Sequence, residues 1–195
     1  MATIVRERFR LVRMTREFAP QRLDVPGFAD AAASISGNEP LQAYARLSAE
    51  VDGPADGATV QWQATGQRRP GIDGAPVSWL HLVAGARIPL ACQRCLKPVD
   101  VELAVDRWFR FAADEATAAA EDEASEEDVL VASREFDLRG LIEDELLMDI
   151  PVTPRHDVCP EPMKLSSADS DFDGAEADRP NPFAVLGSLR TGKSE

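Results

Sequence analysis

Val77-Ser78-Trp79-Leu80-His81-Leu82-Val83-Ala84-Gly85-Ala86-Arg87-Ile88-Pro89-Leu90 is the stretch on which the fold turns. Leu80, Leu82, Ala84, Ala86, Ile88 and Leu90 fall on one parity, the period-2 pattern of a strand with one buried face. The other parity is mixed and carries Trp79, His81 and Arg87. A second run follows, in which Val99, Val101, Leu103, Val105, Phe109 and Phe111 share one face and Asp100, Glu102, Asp106 and Arg110 the other. Two alternating runs joined by a short segment predict an antiparallel pair with one polar face.

Upstream, Thr59 to Thr65 carries Val60 and Trp62 and reads as another strand. Leu41 to Val51 alternates Leu41, Ala43, Ala45, Leu47, Ala49 and Val51 and is expected to be a strand as well. Asp24 to Ala33 suits a short helix, with Gly37 and Pro40 closing it. Thr3 to Glu17 fits a strand or an amphipathic helix equally. Downstream, Ala112 to Asp128 is rich in Ala, Glu and Asp and reads as a flexible insertion. Val129-Leu130-Val131 suits a short strand. Asp137 to Ile150 is the strongest helix, with Asp137 as N-cap and Pro151 as the stop. The expected fold is therefore α+β: an antiparallel sheet or partly closed barrel with a few helices packed on it and acidic flexible loops. One domain is expected over 1–165, with its sheet at about 41–111, an insertion at 112–128 and a helix at about 137–150. An acidic linker at 166–180 and a short docking helix at 181–191 follow.

That last helix has a coherent start, with Asn181 as N-cap and Pro182 at the first helical position. Phe183 and Leu186 lie on its apolar face, which would dock on its own domain or on a partner.

The net charge is −13 but unevenly spread. Between Asp114 and Asp149 there are fourteen acidic residues against Arg134 and Arg139, whereas the first 22 residues hold six arginines against Glu7 and Glu17. Bulk electrostatics on so acidic a chain disfavours nucleic acid, because counterion release needs clustered Lys and Arg. The basic N-terminal segment is the expected place for any RNA contact. The acidic run suits basic partners, or serves as a solvated loop. No apolar run reaches a membrane span and no signal-peptide core precedes the first charges, so a cytoplasmic protein is expected.

The chemistry concentrates in the cysteines. Cys92-Gln93-Arg94-Cys95 and His156-Asp157-Val158-Cys159 form two dyads of soft ligands, each two residues apart. Together they match the donor set of a tetrahedral Cys₃His zinc site. Two other readings stay open: a redox pair, weakened because no helix follows Cys95, and reduced structural thiols in a tight turn. Leu96 stands where a zinc knuckle usually has glycine. His81 lies within a strand with no cysteine or serine close by in sequence, and reads as a satisfied or exposed strand residue. No phosphate-binding, dinucleotide or nucleophile-elbow motif is present. Glu145 and Asp149 fall inside the apolar arc of the 137–150 helix, where a carboxylate costs stability unless paired. Either both reach water, or Glu145 pairs with a cation, for which Arg94 is the candidate.

Three blocks together resemble one family. They are Leu90-Ala91-Cys92-Gln93-Arg94-Cys95-Leu96-Lys97-Pro98; Asp137-Leu138 with Leu141-Ile142-Glu143-Asp144-Glu145-Leu146-Leu147 and Pro151-Val152-Thr153-Pro154-Arg155-His156; and Asn181-Pro182-Phe183-Ala184-Val185-Leu186. In this order they are similar to the signature of the YceD (DUF177) family, from about residue 80 onward. The resemblance implies a bacterial cytosolic protein needed for accumulation of large-subunit (23S) ribosomal RNA, not a known enzyme. Its expected partners are that RNA or basic ribosomal proteins, not DNA or a membrane. The competing expectation is a metal- or thiol-dependent RNA-processing enzyme built on Cys92, Cys95, His156 and Cys159.

Overall fold

The computed structural model describes residues 18–71, 74–122, 125–161 and 183. The basic N-terminal segment up to residue 17, the 166–180 linker and the 181–191 helix with Asn181 and Leu186 lie outside the described residues; Phe183 is 70% exposed. The chain divides into two units, Met1–Asp157 and Val158–Glu195. The first holds every element described below.

Among the described residues, five strands form one open sheet in sequence order: β1 (Ser34–Pro40), β2 (Thr59–Pro70), β3 (Pro76–Ala91), β4 (Pro98–Ala112) and β5 (Asp128–Val131). The first three pairings are antiparallel and β5 runs parallel to β4, so the sheet is mixed and does not close into a barrel. The helices are α1 (Val25–Asp30), α2 (Ala45–Ala49), α3 (Glu115–Asp122) and α4 (Leu138–Met148). Architecture and class are α+β.

The β3 parity read from sequence is the parity that folds. Leu80, Leu82, Ala84, Ala86, Ile88 and Leu90 are all buried, with Leu103, Val105, Phe109 and Phe111 beside them on β4. Phe28 of α1, Leu47 of α2 and Leu138, Ile142 and Leu146 of α4 share this core. Burying one such side chain stabilises by roughly 1.5–3 kcal/mol. Gly66 of β2 lies so close under α1 that an added Cβ would sit 2.6 Å from the Phe28 ring and 2.8 Å from its carbonyl oxygen.

Three expectations need correction. Residues 41–51 are not a strand: a 3₁₀ turn (Leu41–Ala43) leads into α2. The side chains that bury are Leu41, Tyr44 and Leu47, spaced by three, whereas Ala45 and Ala49 are exposed. Alanine fits either environment, so counting it as apolar created a false period of two. The sheet starts earlier instead, at β1, whose polar sequence gives little strand signal. Its place comes from pairing with β2 and from Glu39, which accepts from Tyr44 Oη (3.0 Å) and Arg139 Nη2 (2.9 Å). Gly37, read as a breaker, lies within β1 under the Trp62 indole, where a Cβ would sit 2.6 Å from the ring. Finally, 112–128 is not simply flexible. It contains α3, capped at Asp114 by a bond from Thr117 N (2.9 Å), which carries the chain across to β5.

Helix α4 forms where expected, with Asp137 accepting from Gly140 N at 3.0 Å. Its buried residues are Leu138, Ile142, Glu145 and Leu146, a narrower stripe than the sequence suggested, since Met148 is 72% exposed. The carboxylate of Glu145 does not take Arg94. It accepts from Arg107 Nη1 at 2.9 Å, and the same guanidinium holds Asp128 at 2.5 Å. Arg107 occupies the core-facing parity of β4 between Val105 and Phe109, so it projects toward α4 where Arg94 cannot. Asp149 accepts from the edge N–H of Ala104 at 2.7 Å.

Candidate metal centre

Strand β3 ends at Ala91 and β4 starts at Pro98, so Cys92 to Lys97 form the connecting turn. Cys92 N donates to Lys97 O (3.0 Å) and Leu96 N to Cys92 O (2.9 Å). The turn needs one left-handed residue, and Leu96 supplies it with φ 57°. Glycine would take that conformation freely; a residue with a Cβ pays roughly 1–2 kcal/mol. Leu96 therefore takes the left-handed conformation that a glycine would supply at this place in the turn.

The loop after α4 is laced to this turn. Gln93 N donates to Pro154 O at 2.8 Å, and Arg94 Nη2 donates to His156 O (2.6 Å) and Asp157 O (3.2 Å). Arg94 thus positions the loop that carries His156, which is the role the structure gives it in place of the ion pair expected from sequence. His156 Nδ1 comes to 3.4 Å from Cys95 Sγ. The ligand atoms of Cys92, Cys95 and His156 all lie within 4.8 Å of one another. Cys159 belongs to the second unit, three residues along the chain from His156.

Cys92 is fully buried and Cys95 and His156 half-buried. Burial by itself pushes the Cys92 thiol up. Backbone N–H groups of His156, Arg94 and Cys95 outweigh burial and hold it near 5, against an ordinary value of 9.0. Amide donors aimed at a sulfur favour the thiolate, which is the form that binds metal.

The arrangement passes the test for a soft divalent ion. With Zn–S near 2.3 Å and Zn–N near 2.0–2.1 Å, tetrahedral edges run to about 3.5–3.8 Å. The 3.4 Å sulfur–nitrogen separation sits close to such an edge. A thioredoxin-like reading fits less well, because β4 rather than a helix follows the cysteines.

Fold and site together define an α+β protein with an open sheet and a cysteine–histidine cluster fastening a β-hairpin turn to the loop behind α4. The family model for the large ribosomal RNA subunit accumulation protein YceD matches residues 80–190, more than half of the chain, and the chain belongs to that family. The matched region runs through β3, the cysteine turn, β4, α4 and His156. The large ribosomal RNA subunit accumulation protein YceD of Haemophilus influenzae is 32% identical over 106 residues, which is 53% of this chain and 60% of that protein. The chain thus matches less than two thirds of that relative's length. No solved structure matches. Among the described residues, no helix is long and apolar enough to cross a membrane.

Two features escape a reading of the sequence. One is Arg107, signalled only as the single charge in the apolar stripe of β4. The other is a cluster of Arg69, Trp79, His81 and Trp108 on the open face of the sheet, which no spacing rule for a single strand brings together.

Proposed function

We propose that this protein is a non-enzymatic cytoplasmic factor that supports accumulation of large-subunit (23S) ribosomal RNA by binding that RNA or a basic ribosomal protein. The observation that carries the reading is the family match over residues 80–190. The names of the family and of the Haemophilus influenzae relative supply the process. Within it, Cys92, Cys95, His156 and Cys159 hold one structural zinc. Three of these four donors, from segments 61 residues apart, converge within 4.8 Å, and the fourth follows His156 at a spacing usual for zinc ligands. Four protein ligands leave no coordination position for a substrate, which favours a structural metal and a binding role. The exposed Phe183, in the C-terminal motif, supplies a further contact element.

Two experiments test the reading. Sucrose-gradient fractionation of growing cells should place the protein with large-subunit precursors, and its deletion should lower 23S relative to 16S RNA. Recovery only in the ribosome-free fractions, with an unchanged RNA ratio, would refute the biogenesis role. Elemental analysis should give one zinc per chain, falling toward zero in Cys95→Ser and Cys159→Ser. Metal-free wild-type protein of full stability would end the metal reading.

A further inference from the structure

We infer that the open face of the sheet is a stacking site for unpaired RNA, centred on Arg69, Trp79, His81 and Trp108. This inference rests on the biogenesis reading above and names the surface through which it would act.

Helices α1, α2 and α4 pack on the core face of the sheet; on the opposite parity α3 covers the edge at Ala112 and Val129, and among the described residues the rest of β2, β3 and β4 presents a polar and aromatic surface there. Register brings its rings together. Trp108 pairs with His81, Trp79 with Gln67 and Arg110, and Arg69 with Val77 one step further along. The His81 and Trp108 rings stack at 4.3 Å with an interplanar angle of 11°. Trp79 meets Trp108 edge-to-face at 6.5 Å. The Arg69 guanidinium lies over both indoles, 3.8 Å from the centre of Trp108 and 4.6 Å from that of Trp79. Two tryptophans, a histidine and a flat guanidinium therefore form one contiguous π surface at the solvent side of the sheet, all half-buried rather than covered.

Charge distinguishes a ligand from mere strand reinforcement. His81 is bonded to Asp106 (2.6 Å) and Arg110 to Glu121 (3.1 Å). Arg69 instead donates to Gln67 Oε1 (3.2 Å) and lies over two ring faces, and among the described residues no carboxylate neutralises it. On a chain of net charge −13, an uncompensated cation inside an aromatic cluster is the place where an anion with flat groups fits. Single-stranded RNA supplies both: unstacked bases for the rings and guanidinium plane, and phosphate for the charge. The same face continues into a concavity of about 1020 Å³, where Asn38, Gln61 and Gln63 offer neutral donors and acceptors suited to base edges, while Asp56, Glu102 and the Arg87–Asp100 pair at its wall leave the phosphate to Arg69. Paired RNA hides its bases and offers such a surface nothing to stack.

The chemistry also fixes the form of binding. With one uncompensated cation, about one phosphate is neutralised, so the logarithm of affinity should fall with that of salt at a slope near −0.7. Affinity then comes from stacking and is largely salt-independent.

The test is fluorescence titration of the full chain with a short single-stranded oligoribonucleotide of mixed sequence, its duplex, and an acidic Glu/Asp peptide. Quenching of tryptophan by the single strand, a shallow salt slope and at least tenfold weaker binding by Trp108→Ala are expected. Arg69→Gln, a change at the strand end that leaves the core intact, should weaken binding and flatten the salt slope further. Trp108→Phe, which keeps a ring, should recover part of the loss. Absence of single-strand binding, equal affinity for duplex or acidic peptide, or wild-type affinity in both Arg69→Gln and Trp108→Ala would overturn the inference. If wild-type protein still sediments with large-subunit precursors in that case, only the face is refuted; if it does not, the biogenesis reading falls as well.

Discussion

Replacing Arg107 by Met should expose how the buried carboxylate of α4 is sustained. The Glu145 side chain is 7% exposed and its Oε2 lies 2.9 Å from Arg107 Nη1. Two unit charges about 4 Å apart attract by about 4 kcal/mol at an effective dielectric constant near 20. Breaking a buried pair by removing one partner costs about 3–5 kcal/mol, because the remaining charge stays desolvated. Arg107 is itself 38% exposed, so water already screens the pair and the cost falls to the bottom of that range or just below it, about 2–3 kcal/mol. Asp128 loses the same guanidinium, but at 45% exposure its share is under about 1 kcal/mol. Methionine retains the stem packing, so the loss reports charge rather than a cavity. For a unit of this size, about 2–3 kcal/mol corresponds to a drop in Tm of roughly 4–12 °C. Urea unfolding of wild type, Arg107→Met, Glu145→Leu and the double variant at neutral pH gives the coupling directly. The double variant should recover to within about 1 kcal/mol of wild type, since an apolar pair of similar volume replaces a buried ion pair at little cost. Zero coupling, or an Arg107→Met variant as stable as wild type, would refute the reasoning. The same cycle with Arg94 should show no coupling to Glu145.

Gly66→Ala should destabilise by about 1–3 kcal/mol in chemical unfolding, because the new methyl meets the backbone of α1 at 2.8 Å rather than a yielding side-chain tip. Glu143 should give the molecule an acid-sensitive limb. Its carboxylate caps α2 from α4, accepting from Arg46 N (2.7 Å) and Leu47 N (3.2 Å); burial pushes its pKa up, but these donors and the Arg46 guanidinium outweigh burial and lower it. A lowered folded pKa means a contribution fully present above the unfolded value, about 4.3, and lost as pH falls through the folded one. Glu143→Gln should therefore cost stability at neutral pH and show less of this loss below about pH 5 in urea midpoints.

Legibility from sequence followed side-chain size. Strands β3 and β4 were readable because Leu, Ile, Val and Phe mark their buried parity, and only such residues bury enough area to impose it. The 41–51 segment misled because alanines carried half its pattern. β1 has one apolar side chain on its inner parity, Ile35, and is held by partners far along the chain, information that no local window contains. The Cys92–Cys95 and His156–Cys159 dyads were legible as candidate ligands because a metal would demand such fixed local spacing. The approach of His156 to Cys95 was not, since it depends on α4 returning the chain to the β3–β4 turn. Arg107 was half-legible: a lone charge in an apolar stripe asks for a buried partner, and Glu145 on the apolar arc of α4 asks the same question. Two unsatisfied residues of opposite sign are better matched to each other than to a third at an exposed turn.

The cysteine turn and the aromatic cluster lie toward opposite ends of the same hairpin. Trp79 and Cys92 are thirteen positions apart along β3 and its end, and at roughly 3.3 Å per residue this is a separation on the order of 40 Å. Between them β3 and β4 stay in unbroken register from Ser78–Phe111 to Ala91–Pro98, over a core that is apolar apart from Ser78 and the Arg107–Glu145 pair. Local opening at one end therefore need not propagate to the other. Removing the metal with a chelator should loosen the turn and the loop at Gln93–Pro154, seen as faster amide exchange there, and lower Tm. Tryptophan fluorescence, which comes from Trp62, Trp79 and Trp108, and single-strand affinity should stay within about twofold of the untreated protein. Conversely, Trp108→Ala should leave zinc stoichiometry unchanged. If chelation abolishes oligonucleotide binding while the tryptophan spectrum holds, the bound RNA touches the cysteine end, and the stacking surface cannot be the whole of the interface.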